Sequence, residues 1–251
     1  MEKNPVLFVH GIGTSAGVWE RFAIPGRNSY YISFSNRFAH PNDQVAELKD
    51  EIGRILRIEG KQKVVLVCHS MGGLVARKYL ADHPLDHHIE ELVLLSTPNL
   101  GSIGLSFNWF PVLLIITGIA GFKWTWPLLL TLTGTVWETV SFLRGILLLS
   151  PAVWAMRPDS GFIKGLNAME MPTDLRYVVV LNDASYFPHA LVNLFLFREG
   201  GDGAVPLSSQ KLSQRSVPNF SGLDYSELRT SLPHFLVPRR AQAFVLQALG
   251  S

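Results

Sequence analysis

"VVLVCHSMGGLVAR", residues 64–77, decides how this chain is read. An apolar run suited to a buried strand, Val64 to Val67, leads into Cys68-His69-Ser70, and Gly72 and Gly73 follow before apolar residues resume at helical spacing. A strand that turns sharply into a helix projects the side chain at its corner into the open, with the helix N-terminus aimed at it. Ser70 sits at such a corner, the position of the nucleophile in the elbow pattern G-x-S-x-G. Cys68 stands where the first glycine is expected. Cysteine is small and tolerates burial, so the departure removes some packing freedom and leaves the chemistry of the serine intact.

On either side the same alternation recurs. Val6 to Val9 is a compact apolar run ending in His10-Gly11-Ile12-Gly13, which predicts a buried strand and a tight loop. Residues 29–35, "SYYISFS", predict a second strand. Val45, Leu48, Ile52, Ile55 and Leu56 follow at helical spacing, with Asn42-Asp43 as the expected cap. Residues 64–67 are the third strand, 91–97 the fourth and 175–181 the fifth; "RRAQAFVLQAL" is a closing amphipathic helix. Strands rich in Val and Leu and separated by helices predict an α/β fold, with a mostly parallel sheet covered on both faces.

Composition narrows the function. The 251 residues suit one large domain, and no polar linker divides them. A net charge of +2 does not suggest a nucleic-acid partner. One cysteine excludes an internal disulfide. The N-terminal apolar run is too short for a signal peptide and lacks a small-residue cleavage site. A cytoplasmic or peripherally membrane-associated protein is therefore expected. No C-x-x-C pair or H-E-x-x-H marks a metal, there is no phosphate-binding P-loop, and "HGIGTSAG" lacks dinucleotide spacing, so no cofactor is expected.

"CHSMGGLVAR", "FVHGIGTSAGVW" and "LLSTPNLGS" together resemble the α/β-hydrolases of the bacterial lipase and esterase group. The resemblance covers most of the chain outside a tryptophan-rich insert. It implies a serine nucleophile, Ser70, and a triad running Ser, acid, His along the chain. It also implies oxyanion donors from the loop after the His-Gly pair and from the residue after the nucleophile, here the backbone N–H groups of Ile12 and Met71. Chain order then selects His234, in "SLPHFLVP", as the base. His10 reads as a hydrogen-bonded histidine at a strand end, and His69 as a structural member of the turn. His87 and His88, beside Asp82 and Asp86, read as a solvated turn. "EGGDGAVPLSS" resembles the D-G-x-V-P stretch that carries the acid in many bacterial lipases, which points to Asp202. Asp183, at the end of the fifth strand, is the rival. Asp159 is expected to cap a helix or face solvent.

The insert does not fit the α/β rhythm. Hydrophobic residues make up 47% of the chain and charged residues 17%, and the excess has a location. From Leu92 to Met156 the charged residues are Lys123, Glu138 and Arg144, and five of the six tryptophans fall there. We expect one hydrolase domain over residues 1–251 with an apolar helical cap or lid at about 102–165, in which Trp109, Trp124 and Trp126 contact substrate. Residues 103–122 are charge-free and meet the ~20-residue length of a membrane span, but Asn108, Pro111, Gly118 and Gly121 interrupt them. A lid that binds acyl chains and touches membrane surfaces is the preferred reading, since tryptophan suits an interface.

The expected activity is hydrolysis of carboxylic esters of apolar medium or long acyl groups, the substrate being a small-molecule or lipid ester. A phospholipase or lipid deacylase, like the GPI-inositol deacylase relatives, and an acyltransferase would use the same residues. A non-catalytic ligand-binding hydrolase fold is the alternative from another class.

Overall fold

The computed structural model describes residues 3–19, 22–103, 150–184, 193, 198–232, 234 and 237–250. Most of the insert, with Trp109, Trp124 and Trp126, lies outside the described residues, and so does His189. Six parallel strands form one sheet: β1 (Val6–Val9), β2 (Ser29–Tyr31), β3 (Val64–His69), β4 (Ile89–Leu95), β5 (Arg176–Asn182) and β6 (Asp224–Thr230), in the order β2-β1-β3-β4-β5-β6. Between them run α1 (Pro41–Glu59), α2 (Met71–Asp82), α3 (Pro151–Ala155), α4 (Gly161–Asn167) and α5 (Leu207–Gln210). Two short helices, α6 (Val237–Arg240) and α7 (Gln242–Ala248), close the described chain.

Alternation along each strand explains the layers. Leu7, Val9, Leu66, Cys68, Leu92 and Leu94 point to one face, where they pack with α1 and α2. Their neighbours Val6, Phe8, Val65, Val67, Val93 and Leu95 point to the other, against Trp19, Phe22 and the C-terminal Val237, Ala241 and Val245. Because every central strand is covered on both sides, its sequence is continuously apolar rather than alternating. The chain leaves β1 for β2 on one side, then crosses over to β3 on the other. That reversal makes a topological switch point, and ligands of open α/β sheets bind beyond the carboxyl ends of the strands at such points.

Several local expectations are corrected. β2 ends at Tyr31 rather than continuing to 35, because the N–H of Phe34 turns to His10 Nε2 (3.1 Å). The cap of α1 is His40, whose Nδ1 accepts from the N–H of Asn42 (3.2 Å); Pro41 opens the helix, so Asn42 and Asp43 lie inside its first turn. The C-terminal helix is two, divided at Ala241. β6 was not expected: its "DYSELRT" is polar because it lies at the sheet edge, with charged side chains outward. His87 is buried rather than solvated. Its Nδ1 accepts from the N–H of Ile89 (2.9 Å), and Nε2 lies 2.9 Å from Asp174 Oδ1.

Candidate active site

Ser70 follows directly on β3 and stands at the N-cap of α2 with φ 54° and ψ −124°, a conformation disfavoured for any residue but glycine. Such strain costs of order 1–3 kcal/mol and persists only where the surroundings impose it. Here they do. The Ser70 N–H is held by the carbonyl of Leu95 (2.9 Å), and its own carbonyl accepts from the N–H of Gly73 (3.0 Å). The glycines are required by close approach. A Cβ on Gly72 would stand 2.5 Å from the carbonyl oxygen of His10, and one on Gly73 only 2.0 Å from Thr97 Oγ1. Cys68 points into the core shared with α1 and α2, which absorbs the departure from the elbow pattern; burial pushes its thiol pKa up.

The Ser70 hydroxyl does not cap its helix. It meets His234 instead, Oγ to Nε2 at 3.0 Å, and His234 Nδ1 lies 2.8 Å from Asp202 Oδ2. Ser70 at the end of β3, Asp202 in the connection from β5 to β6, and His234 in the segment after β6 are thus joined by two hydrogen bonds. Asp202 is fully buried (0% exposed), and its other oxygen accepts from the N–H groups of Ala204 (3.0 Å) and Val205 (2.8 Å). These donors fix the carboxylate's direction. The hairpin-like turn around it needs its glycines: Gly203 has φ 91°, and a Cβ on Gly201 would stand 2.6 Å from the Val205 carbonyl oxygen. Asp183 has a different position. Its Oδ1 accepts from the N–H of Gly201 (3.1 Å), so it braces the loop that carries Asp202.

The loop after β1 lies against Ser70. A Cβ on Gly11 would be 2.9 Å from Ser70 Cβ. Ile12 follows, its side chain packed on an apolar cluster that includes Met71, Leu74, Met156 and Ile163. Met71 opens α2 directly after Ser70. His10 accepts from Phe34 at Nε2, so its proton resides on Nδ1, which donates to the carbonyl of Gly11 (2.8 Å). Asp159 is exposed and pairs with Arg157 (3.4 Å), while Ser160 caps α4. Among the described residues no group of three or more His, Cys, Asp or Glu is placed to hold a metal. None of their helices is long and apolar enough to cross a membrane.

Two contributors escape motif reading. Asn193 donates from Nδ2 to the carbonyl of Gly201 (2.7 Å) and accepts at Oδ1 from the N–H of Gly203 (3.2 Å), bracketing Asp202. Gln210 pairs with both backbone groups of Asn182 and donates to the Val205 carbonyl (3.1 Å), which ties the Asp202 turn to β5. Each is a lone amide outside any recognised motif, and no local pattern marks it.

A strand-to-helix serine at the switch point of a parallel sheet, with a histidine and a buried carboxylate brought to it from later connections, defines an α/β-hydrolase. The chain belongs to the alpha/beta hydrolase family, which it matches over residues 6–245. It is 31% identical over 112 residues to the lysosomal thioesterase PPT2-B of Xenopus laevis, a match covering 41% of this chain and 38% of that protein. The chain therefore matches well under half the length of this curated relative. In structure it resembles the mature form of the Bacillus licheniformis lipase BlEst2 (TM-score 0.68, 22% identity, 99% of this chain and 92% of that one). It also resembles EstA from Clostridium botulinum (TM-score 0.61, 14% identity, 94% and 83%). At these identities the likeness is one of fold.

Proposed function

We infer that the chain is a serine hydrolase of carboxylic esters with apolar medium or long acyl groups. In this reading Ser70 is the nucleophile, His234 the general base and Asp202 its orienter. The observation that carries it is the Ser70–His234–Asp202 line at 3.0 and 2.8 Å, with the serine hydroxyl released from helix capping. His234 Nε2 takes the hydroxyl proton as Oγ attacks the ester carbonyl. The oxyanion is met by the backbone N–H groups of Ile12 and Met71. Collapse expels the alcohol, which receives the proton from His234, and leaves an acyl group on Ser70. Water then enters by the same steps and releases the acid.

The apolar cluster around Met71 and Ile12 supports an apolar acyl group, and each buried CH₂ adds about 0.8 kcal/mol to binding. The insert, with Trp109, Trp124 and Trp126, is proposed to extend that surface. Exposed Ile103 and Trp154 near its two ends support contact with a lipid surface. A thioester would pass through the same acyl-enzyme with a thiol leaving, and the likeness to a thioesterase favours testing it. A phospholipid or an acyl-accepting alcohol would likewise need no other residues.

The experiment is a chain-length series of p-nitrophenyl esters, with a matched acyl thioester, run on the wild type and Ser70→Ala. We expect kcat/KM to rise from acetate to medium or long chains and Ser70→Ala to lose on the order of 10⁶-fold in kcat. A series peaking at acetate would refute the apolar-acyl reading. Undiminished turnover by Ser70→Ala would refute the nucleophile.

A further inference from the structure

His69 precedes Ser70 and ends β3, yet its side chain belongs to the far side of the site. Its Nε2 lies 3.1 Å from the backbone oxygen of His234, and its ring centroid lies 4.7 Å from that of His234 at 44°. The ring is only 4% exposed; Trp19 meets it edge-on, and a Cβ on Gly11 would come within 3.2 Å of Nδ1. A carbonyl oxygen can only accept, so Nε2 carries the proton and Nδ1 is bare. Nδ1 is buried and has no hydrogen-bond partner among the described residues. Leaving a buried acceptor unpaired is unfavourable, and a side chain used merely to fill this space would not need it.

His234 lies between β6 and α6, outside any strand ladder that would hold its backbone. Its N–H donates to the carbonyl of Asp202 (3.1 Å), and its Nδ1 meets the Asp202 carboxylate. Both bonds come from one loop. The bond from His69 comes instead from the strand that carries Ser70. Because His69 and Ser70 are consecutive, it closes a ring: Ser70 Oγ to the His234 imidazole, through the His234 backbone to its carbonyl, to His69 Nε2, and back along the main chain. Opening that ring leaves His234 anchored to the Asp202 loop, with its separation from Ser70 free to widen.

We propose that His69 is a positioning residue: its Nε2–H pins the carbonyl of His234 and its ring backs the His234 ring, which keeps His234 Nε2 in line with Ser70 Oγ. This rests on the reading of Ser70 and His234 as nucleophile and base. Burial first, and the neighbouring His234 second, lower the pKa of His69 well below the ordinary value, so the ring that backs the base stays uncharged. The titratable groups that face it are His234 and His10.

The test compares His69→Phe, which keeps a ring and loses the donor, with His69→Gln, which keeps a donor and loses the ring. Both are assayed on an ester substrate and by the rate of labelling with a fluorophosphonate. For His69→Phe we expect kcat and the labelling rate to fall up to about 10²-fold, the size of effect that small misplacements of reacting groups produce, with KM within about twofold. His69→Gln should recover most of that loss, whatever either variant does to the unfolding midpoint. Wild-type kcat in folded His69→Phe would overturn the inference, and so would failure of His69→Gln to exceed it. If His69→Phe does not fold, histidine ¹⁵N shifts in the wild type decide: a proton on Nε2 and a bare Nδ1 of His69 from pH 5 to 8 are expected, and a proton on Nδ1 overturns the assignment. Failure of the underlying reading looks different. Wild type unlabelled by the fluorophosphonate, or Ser70→Ala still labelled, would sink both together, whereas normal Ser70 labelling with an indifferent His69→Phe sinks this inference alone.

Discussion

Ser70 shows how much of a site can be imposed by a few neighbours. Its left-handed φ, the glycines pressed against β1 and Thr97, and the Leu95 carbonyl together turn the hydroxyl away from the helix it would otherwise cap. Asp202 and Asp183 make the contrast between two carboxylates in one region. The first receives two backbone N–H groups and faces His234; the second supports the loop through Gly201. Asp202→Asn should therefore reduce kcat by about 10⁴-fold, since an amide offers the histidine a donor in place of an acceptor and favours the wrong tautomer. Asp183→Asn keeps an oxygen for the Gly201 N–H and should retain activity within about tenfold. The reverse pattern in steady-state kinetics would assign the acid to Asp183.

Helix α2 packs so tightly that its first turn has no room for a methyl group. In Gly73→Ala the new Cβ would collide with Thr97 Oγ1 and approach Leu94 Cδ2 to 2.9 Å, so helix and strand must part. Overpacking of this kind costs roughly 1–3 kcal/mol, and here the displaced helix carries Ser70. We expect both a lower urea midpoint and a loss of kcat, and a variant that keeps full activity would show that the elbow tolerates more movement than its contacts imply. Gly165 is the opposite case. It lies in the middle of α4, exposed, and a Cβ placed on it would meet nothing within 4 Å among the described residues. Gly165→Ala should stabilise by about 0.5–1 kcal/mol through helix propensity and a restricted unfolded chain. A fall in its unfolding midpoint would contradict that.

Two buried histidines couple the stability of the folded chain to pH. Burial lowers the pKa of both His69 and His10 below 6.5; His234 adds to the effect at His69, and the hydrogen bond to Gly11 partly offsets it at His10. Once unfolded, both rings bind protons near the ordinary value, so below it the unfolded state holds more protons than the native one. Their neutral burial is therefore fully favourable above pH ~6.5, and stability falls as the pH drops from there toward the lowered native values. The slope per histidine is at most about 1.4 kcal/mol per pH unit. Urea midpoints between pH 7.5 and 5.0 should show the decline, and His69→Gln should make it shallower. An unchanged slope in that variant would mean that His69 is not a source of it.

The buried central strands, the elbow and the family are local matters, and local pattern sufficed for them. Paired Val and Leu positions at period two fill both faces of β1, β3, β4 and β5, and no partner need be known to read that. The serine corner is written in four consecutive positions because a tight turn restricts its immediate neighbours. β6 escaped because an edge strand with polar side chains has lost the apolar signature that marks its buried neighbours. Cap and strand ends shifted for a similar reason: His40 and His10 use ring nitrogens to satisfy backbone N–H groups, a choice made by geometry rather than composition. Only the folded chain decides which aspartate meets His234, that His87 is buried beside Asp174, and that His69 reaches the carbonyl of a residue 165 positions away. Those are pairings across great sequence distance, and a hydrogen bond between two single side chains leaves no period, run or spacing in the sequence to announce it.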